Sequence, residues 1–193
     1  LVSILIGTSG WQYDVWASTF YPEGLAKSRW LDCYAERFAT VESNSAFYRL
    51  PERTLFEKWA ATVPDDFVMS VKASRYLTHI RRLRDPKDPV QRLLKRTAGL
   101  GSKLGPILLQ LPPTLQYAPE LLSQTLSAFP RKVRIAVEFR DSSWFADDVR
   151  GILEKHDAAF CLADRKGPLG PIWRNGSWGY VRFHEGRAHP RPE

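Results

Sequence analysis

The familiar signatures of a known chemistry are absent from this sequence. Cysteine occurs only at Cys33 and Cys161, one in a helical pattern and one inside an apolar run, which reads as two reduced, buried thiols of a cytoplasmic protein. No apolar run reaches spanning length, and the short apolar start meets Gly7-Thr8-Ser9-Gly10 at once. Neither a membrane span nor a secretory segment is therefore expected. The first turn is not a Gly-x-Gly-x-x-Gly phosphate turn, and no H-E-x-x-H pair occurs. Gly7-Thr8-Ser9-Gly10 also lacks the G-x-S-x-G pattern, which argues against a nucleophilic serine.

Cations and short apolar runs are plentiful. Lys and Arg number 28 against 21 Asp and Glu, a formal charge of +7 that favours an anionic partner, either a small molecule or nucleic acid. With 193 residues and 44% apolar content the chain can bury a substantial core, and it reads as one domain over residues 1–193. Strands are expected at Val2 to Ile6, Thr40 to Glu42, Phe67 to Lys72, Ile107 to Leu111, Val133 to Phe139, Ala159 to Leu162 and Tyr180 to Phe183. Most are continuous apolar runs, as when both faces of a strand are covered.

Helical spacing falls between these runs. Ser28 can cap a helix carrying Trp30, Leu31, Tyr34 and Phe38; Thr54 to Val63 forms a second, stopped by Pro64. Val90 to Ala98 gives a third, Leu121 to Phe129 a fourth entered at Pro119, and Trp144 to Leu153 a fifth capped by Ser142 or Ser143. Alternating strand and helix argues for parallel strands with right-handed crossovers, either a TIM-type (β/α) barrel or an open doubly wound sheet. The first turn favours the barrel, with seven of eight strands present. The ending Arg187 to Glu193 reads as a loop or a cut edge.

Several motifs in order resemble one family: Gly7-Thr8-Ser9-Gly10-Trp11, Val41-Glu42-Ser43-Asn44-Ser45-Ala46-Phe47-Tyr48, Val71-Lys72-Ala73, Thr78-His79, Leu109-Gln110-Leu111-Pro112-Pro113, Val137-Glu138-Phe139-Arg140, Ser143-Trp144 and Tyr180-Val181-Arg182-Phe183-His184. They are similar to the YecE-like family, domain of unknown function 72. The resemblance implies a TIM-type barrel and brings no assigned reaction. It also implies a final strand with a Phe-Asn-Asn type motif, absent here, so the C-terminal strand-helix unit reads as missing or cut. Glu185 stands where the family usually has Gly after the seventh-strand His.

The polar strand ends define the expected site, since parallel α/β proteins place ligands at the carboxyl ends of strands. Glu42, His79, Glu138, Asp164 and His184 are the candidate acids and bases, with a glutamate as general base and a histidine as general acid. Lys72, Arg140 and Arg182 are expected to bind a phosphate or carboxylate, and Ser9 to add a hydroxyl or N–H. Asn44 and Gln110 can orient a substrate, and Trp11 and Tyr48 can stack on it. A divalent metal fits the ligand types but is the less favoured reading, because the cations match the carboxylates. Oligomeric state is not legible. The expected function is an enzyme acting on a phosphorylated or nucleic-acid-related substrate, a phosphoester hydrolase. The alternatives are a non-catalytic nucleotide or nucleic-acid binding module and a sugar isomerase or lyase.

Overall fold

The structure is a computed structural model and describes residues 3–164 and 170–184. Seven strands form one parallel sheet in chain order: β1 (Gly7–Ser9), β2 (Thr40–Ser43), β3 (Val68–Lys72), β4 (Leu104–Gln110), β5 (Ile135–Glu138), β6 (Ala159–Asp164) and β7 (Tyr180–Phe183). Among the described residues the sheet of seven strands curls into a half-barrel of the TIM type, with a strand missing. Helices α1 (Trp30–Ala35), α2 (Ser45–Tyr48), α3 (Arg53–Thr62), α4 (Lys87–Thr97), α5 (Pro119–Ser127) and α6 (Asp147–Lys155) connect them. None of the described helices is long and apolar enough to cross a membrane.

The main core lies between the outer sheet face and the helices. Val41, Met69, Val71, Ile107, Leu109, Ile135 and Val137 point outward from the strands and meet Phe56, Leu93, Leu122, Leu126 and Leu153 from the helices. The opposite face of the same strands carries a small cluster, Leu108, Ala136, Ala159 and Cys161, against which Trp178 and Tyr180 pack. Side chains alternate across a strand, so this small apolar plug and the polar residues in step with it share the barrel interior.

The first strand begins later than its composition suggests. Ile4 and Ile6 are 78% and 73% exposed, and pairing starts only at Gly7, in register with Thr40. Since β2 itself begins at Thr40, the apolar residues before Gly7 run past the end of their neighbour and find no ladder partner. The two chain segments approach so closely here that a Cβ on Gly7 would sit 2.1 Å from the Thr40 carbonyl oxygen. Glycine is the residue that permits it.

Two helices also start later than their apolar spacing suggests. Ser28 lies in a 3-10 turn, and α1 starts at Trp30 without a side-chain cap. Trp144 lies in a 3-10 turn whose cap is Asp141, accepting from the Ser143 N–H at 3.0 Å, while α6 begins at Asp147. Trp144 is fully buried on Phe139, its indole N–H donating to the Leu115 carbonyl at 2.7 Å, so packing rather than helical period fixes it.

Candidate functional site at the mouth of the barrel

Ser9, Glu42 and Ser70 are mutual register partners on β1, β2 and β3, as are Gln110 and Glu138 on β4 and β5. Lys72 stands two residues beyond Ser70 and Arg182 two beyond Tyr180, so period two puts all of them on the inner face. The strand ends thus converge, and their first effect is on one another.

Arg182 is the hub. Its Nη1 donates to Glu138 Oε2 at 2.5 Å and to His184 Nε2 at 2.9 Å; its Nη2 donates to Glu42 Oε1 at 2.9 Å and Ser9 Oγ at 3.0 Å. One guanidinium therefore ties β7 to β1, β2 and β5. Glu138 has no exposed surface and also accepts from Gln110 Nε2 at 2.9 Å and Arg140 Nε at 3.0 Å. Burial alone would raise its pKa, but Arg182, Gln110 and Arg140 outweigh that and hold it below the usual glutamate range. Glu138 is accordingly an anchor for two arginines.

Ser9 and Glu42 are almost fully engaged as well. The Ser9 hydroxyl donates to Glu42 Oε1 at 2.8 Å and accepts from Asn44 Nδ2 at 2.7 Å as well as from Arg182, which uses its one donor and both lone pairs. Glu42 Oε2 accepts the Tyr180 phenol at 2.9 Å. Burial, followed by the Glu42 charge, raises the Tyr180 pKa well above its ordinary value, so the phenol keeps its proton. Asn44 Nδ2 also reaches the Ser9 carbonyl, while its buried Oδ1 has no partner among the described residues.

Two cations keep spare donors. Among the described residues Arg140 bonds through Nε alone, to Glu138, and its side chain is 23% exposed. Lys72 is 9% exposed and joins none of the salt bridges among the described residues; its Nζ lies 4.3 Å from the centroid of the Phe47 ring. Burial first, then Arg182 and also Arg140, push the Lys72 pKa down to about 8 against the opposing pull of Glu42 and Glu138. The same Phe47 ring packs against His79 at 82°, with centroids 4.9 Å apart. His79 sits in a single π turn, Tyr76–Ile80, with Nδ1 at 2.9 Å from the Thr78 hydroxyl. Burial, Arg140 and Lys72 lower its pKa, and burial with Arg182 lowers that of His184, so both imidazoles are neutral at pH 7. Because arginine can only donate, His184 Nε2 is the acceptor of its contact with Arg182.

A pH-dependent stability follows from Lys72. The unfolded side chain titrates near its ordinary value of 10.5, and the folded one near 8. Between those values the unfolded chain binds more protons, so stability rises with pH across that window and the full cost of charging a buried amine is present below it. Lys72→Met is expected to be more stable than the parent at pH 7, by on the order of 3 kcal/mol at most, with the gap closing towards pH 10.5. Urea unfolding at a series of pH values reads this directly.

Three expected site residues are not in the converging group. Trp11 is 3% exposed and packs edge-on against Trp59 at 5.1 Å, as part of the outer core. Asp164 is in register with Phe183 and alternates with Ala163, the register partner of Arg182, which sets its side chain on the outer face. Tyr48 is 73% exposed beside Phe47 at the rim. Conversely, Tyr180 and Phe47 are not among the expected site residues; the step of two from Arg182 marks Tyr180, and Phe47 falls in the aromatic pair Phe47-Tyr48 after the second strand. The donor set also bears on metals: the interior carboxylates are taken up by arginines, and no cluster of three His, Cys, Asp or Glu suited to a metal occurs among the described residues.

Outside the barrel mouth, a cleft of about 840 Å3 is bounded by Tyr76, Arg81, Arg92, Lys95 and Arg96 with Glu52 and Asp88. Arg96 pairs with Glu52 and Arg81 with Asp85, while Arg92 and Lys95 join none of the salt bridges among the described residues.

Residues 5–193 match the family described as "Protein of unknown function DUF72". The chain is 30% identical over 146 residues to the UPF0759 protein YecE of Escherichia coli K12, covering 74% of this chain and 50% of that protein. It is 30% identical over 152 residues to the UPF0759 protein YunF of Bacillus subtilis, covering 74% and 52%. It thus spans about half the length of these curated relatives. A DUF72 family crystal structure from Thermotoga maritima superposes with a TM-score of 0.82 at 29% identity, over 95% of this chain and 75% of that one. A second, from Enterococcus faecalis, gives 0.75 at 19% identity over 96% and 71%, a likeness of fold.

Proposed function

This chain belongs to the DUF72 family, and on that premise we propose that its barrel mouth is an enzyme site for a phosphorylated small molecule of the cytoplasm, gripped by Lys72 and Arg140. The observation that carries the reading is the division of labour among the cations. Arg182 is spent on Glu42 and Glu138, while Lys72 and Arg140 keep donors that no protein carboxylate takes among the described residues. Charge-assisted bonds from such groups suit phosphate or carboxylate oxygens.

The geometry favours isomerase or lyase chemistry over phosphoester hydrolysis. Hydrolysis asks for a base or a metal to make hydroxide, and here one glutamate is walled in and the other is held by Arg182, Ser9 and Tyr180. Moving a proton beside a carbonyl asks only for a neutral acid–base group, and His79 supplies one. A binding module for nucleic acid is the second reading, favoured by the outer cleft, where the exposed Tyr76 stands beside Arg92 and Lys95.

Titration calorimetry with inorganic phosphate separates the two. If the mouth is the site, Arg140→Gln weakens binding while Arg92→Gln with Lys95→Gln leaves it unchanged. The reverse pattern, or steeply salt-dependent binding of an oligonucleotide lost with the cleft substitutions, assigns the anion to the cleft and overturns the proposal.

A further inference from the structure

We propose that Lys72 is a nucleophile whose side-chain amine condenses with the carbonyl carbon of a phosphorylated aldehyde or ketone anchored at Arg140. The inference rests on the mouth being a small-molecule site and deepens it by naming the substrate class. It starts from a contrast between buried Lys72 and partly buried Lys103. Lys103 donates to the Ala60 and Val63 carbonyls, both at 2.7 Å, and lies 3.3 Å from Asp65: a charge built to stay. Lys72 has no such cage among the described residues. It lies against the face of Phe47, and the two glutamates of the same interior are already claimed by Arg182 and Arg140.

That setting suits a neutral amine better than a permanent ammonium. Burial and two neighbouring guanidiniums disfavour the charged form and outweigh the attraction of the Phe47 face for a cation, in line with the lowered pKa. The remaining nitrogens of Arg140 offer the bidentate grip that a phosphate needs. His79, packed against the ring whose face Lys72 covers, is a neutral imidazole available to pass protons.

The step balances without an oxidant or reductant. The nitrogen lone pair of the neutral amine forms the C–N bond, and the carbonyl π electrons move to oxygen, which takes up a proton. His79 relays the proton released from nitrogen to that hydroxyl. The C–O bond then breaks, water leaves with both hydrogens originally on nitrogen, and the imine remains between Lys72 and the substrate carbon. Its protonated form can draw electrons from the neighbouring carbon, which is what isomerase and lyase reactions require.

Pyridoxal 5′-phosphate, an aldehyde bearing a phosphate, is a suitable probe, with borohydride to fix any imine and peptide mass mapping to locate it. Lys72 is expected to carry the adduct at about tenfold the level of any other lysine, and excess inorganic phosphate to suppress it. Lys72→Arg, which keeps a positive charge without a primary amine, abolishes the adduct. Labelling confined to other lysines, with phosphate still binding at the mouth, overturns the imine and leaves the anion site standing. Equal labelling of Lys72 by pyridoxal without its phosphate, unprotected by phosphate, supports the nucleophile and removes the anion site.

Discussion

Replacing Arg182 with methionine is expected to destabilise the protein by about 3–5 kcal/mol, the cost of breaking a buried ion pair by removing one partner. The guanidinium makes four described contacts, and two of them go to carboxylates that have little or no access to water. Methionine fills similar volume, so lost charge and hydrogen bonding dominate over lost packing. Glu138 would keep Gln110 and Arg140, and Glu42 would keep Ser9 and Tyr180, but each loses its principal counter-charge.

Acid conditions provide an internal check. Glu138 is depressed in the folded state from an ordinary value of 4.5, so its contribution is present above that value and is lost as pH falls through the folded one. Without Arg182 the carboxyl protonates more readily. The deficit of Arg182→Met is therefore largest near pH 7 and narrows below pH 4.5, and adding Glu138→Gln recovers part of it at pH 7. Denaturant midpoints of the single and double variants measure both effects.

The second large effect falls on binding. Each charge-assisted hydrogen bond to an anion is worth about 1.5–3 kcal/mol, so Arg140→Gln and Lys72→Met should each weaken phosphate binding by roughly 10- to 100-fold. The two differ in what they do to the fold. Arg140→Gln leaves Glu138 with Arg182 and Gln110 and costs little stability, whereas Lys72→Met stabilises. A drop in affinity accompanied by a gain in stability is hard to produce by misfolding, which makes Lys72→Met the cleaner variant. Parallel calorimetry and thermal melts distinguish the two contributions.

The sheet was legible because parallel strands covered on both faces give uninterrupted apolar runs, and the runs from β2 to β7 stand close to where the sequence puts them. The first run misled because composition does not report whether a neighbouring strand extends far enough to pair, and β2 does not. The same limit governs the site. Ser9, Glu42, Lys72, Gln110, Glu138 and Arg182 stand out in the sequence as polar strand ends; the structure turns them inward, and strand ends alone do not say which of them consume one another. Arg182 carries the same charge as Arg140; only three-dimensional proximity to two glutamates makes one an internal strut and leaves the other with free donors. Asp164 ends β6, but its step along the strand turns its side chain to the face opposite Arg182, since a shift of one residue reverses the face. Trp11 shows the remaining ambiguity, because an aromatic in a loop beside the mouth serves packing as readily as stacking.

Crystals of the protein soaked with a phosphorylated aldose or ketose test the central claim most directly. The predicted result is phosphate density on the free nitrogens of Arg140 with the substrate carbonyl carbon at Lys72 Nζ, and Arg182 still bonded to Glu42 and Glu138. Phosphate bound in the outer cleft beside Arg92 and Lys95, with the mouth unchanged, would contradict it.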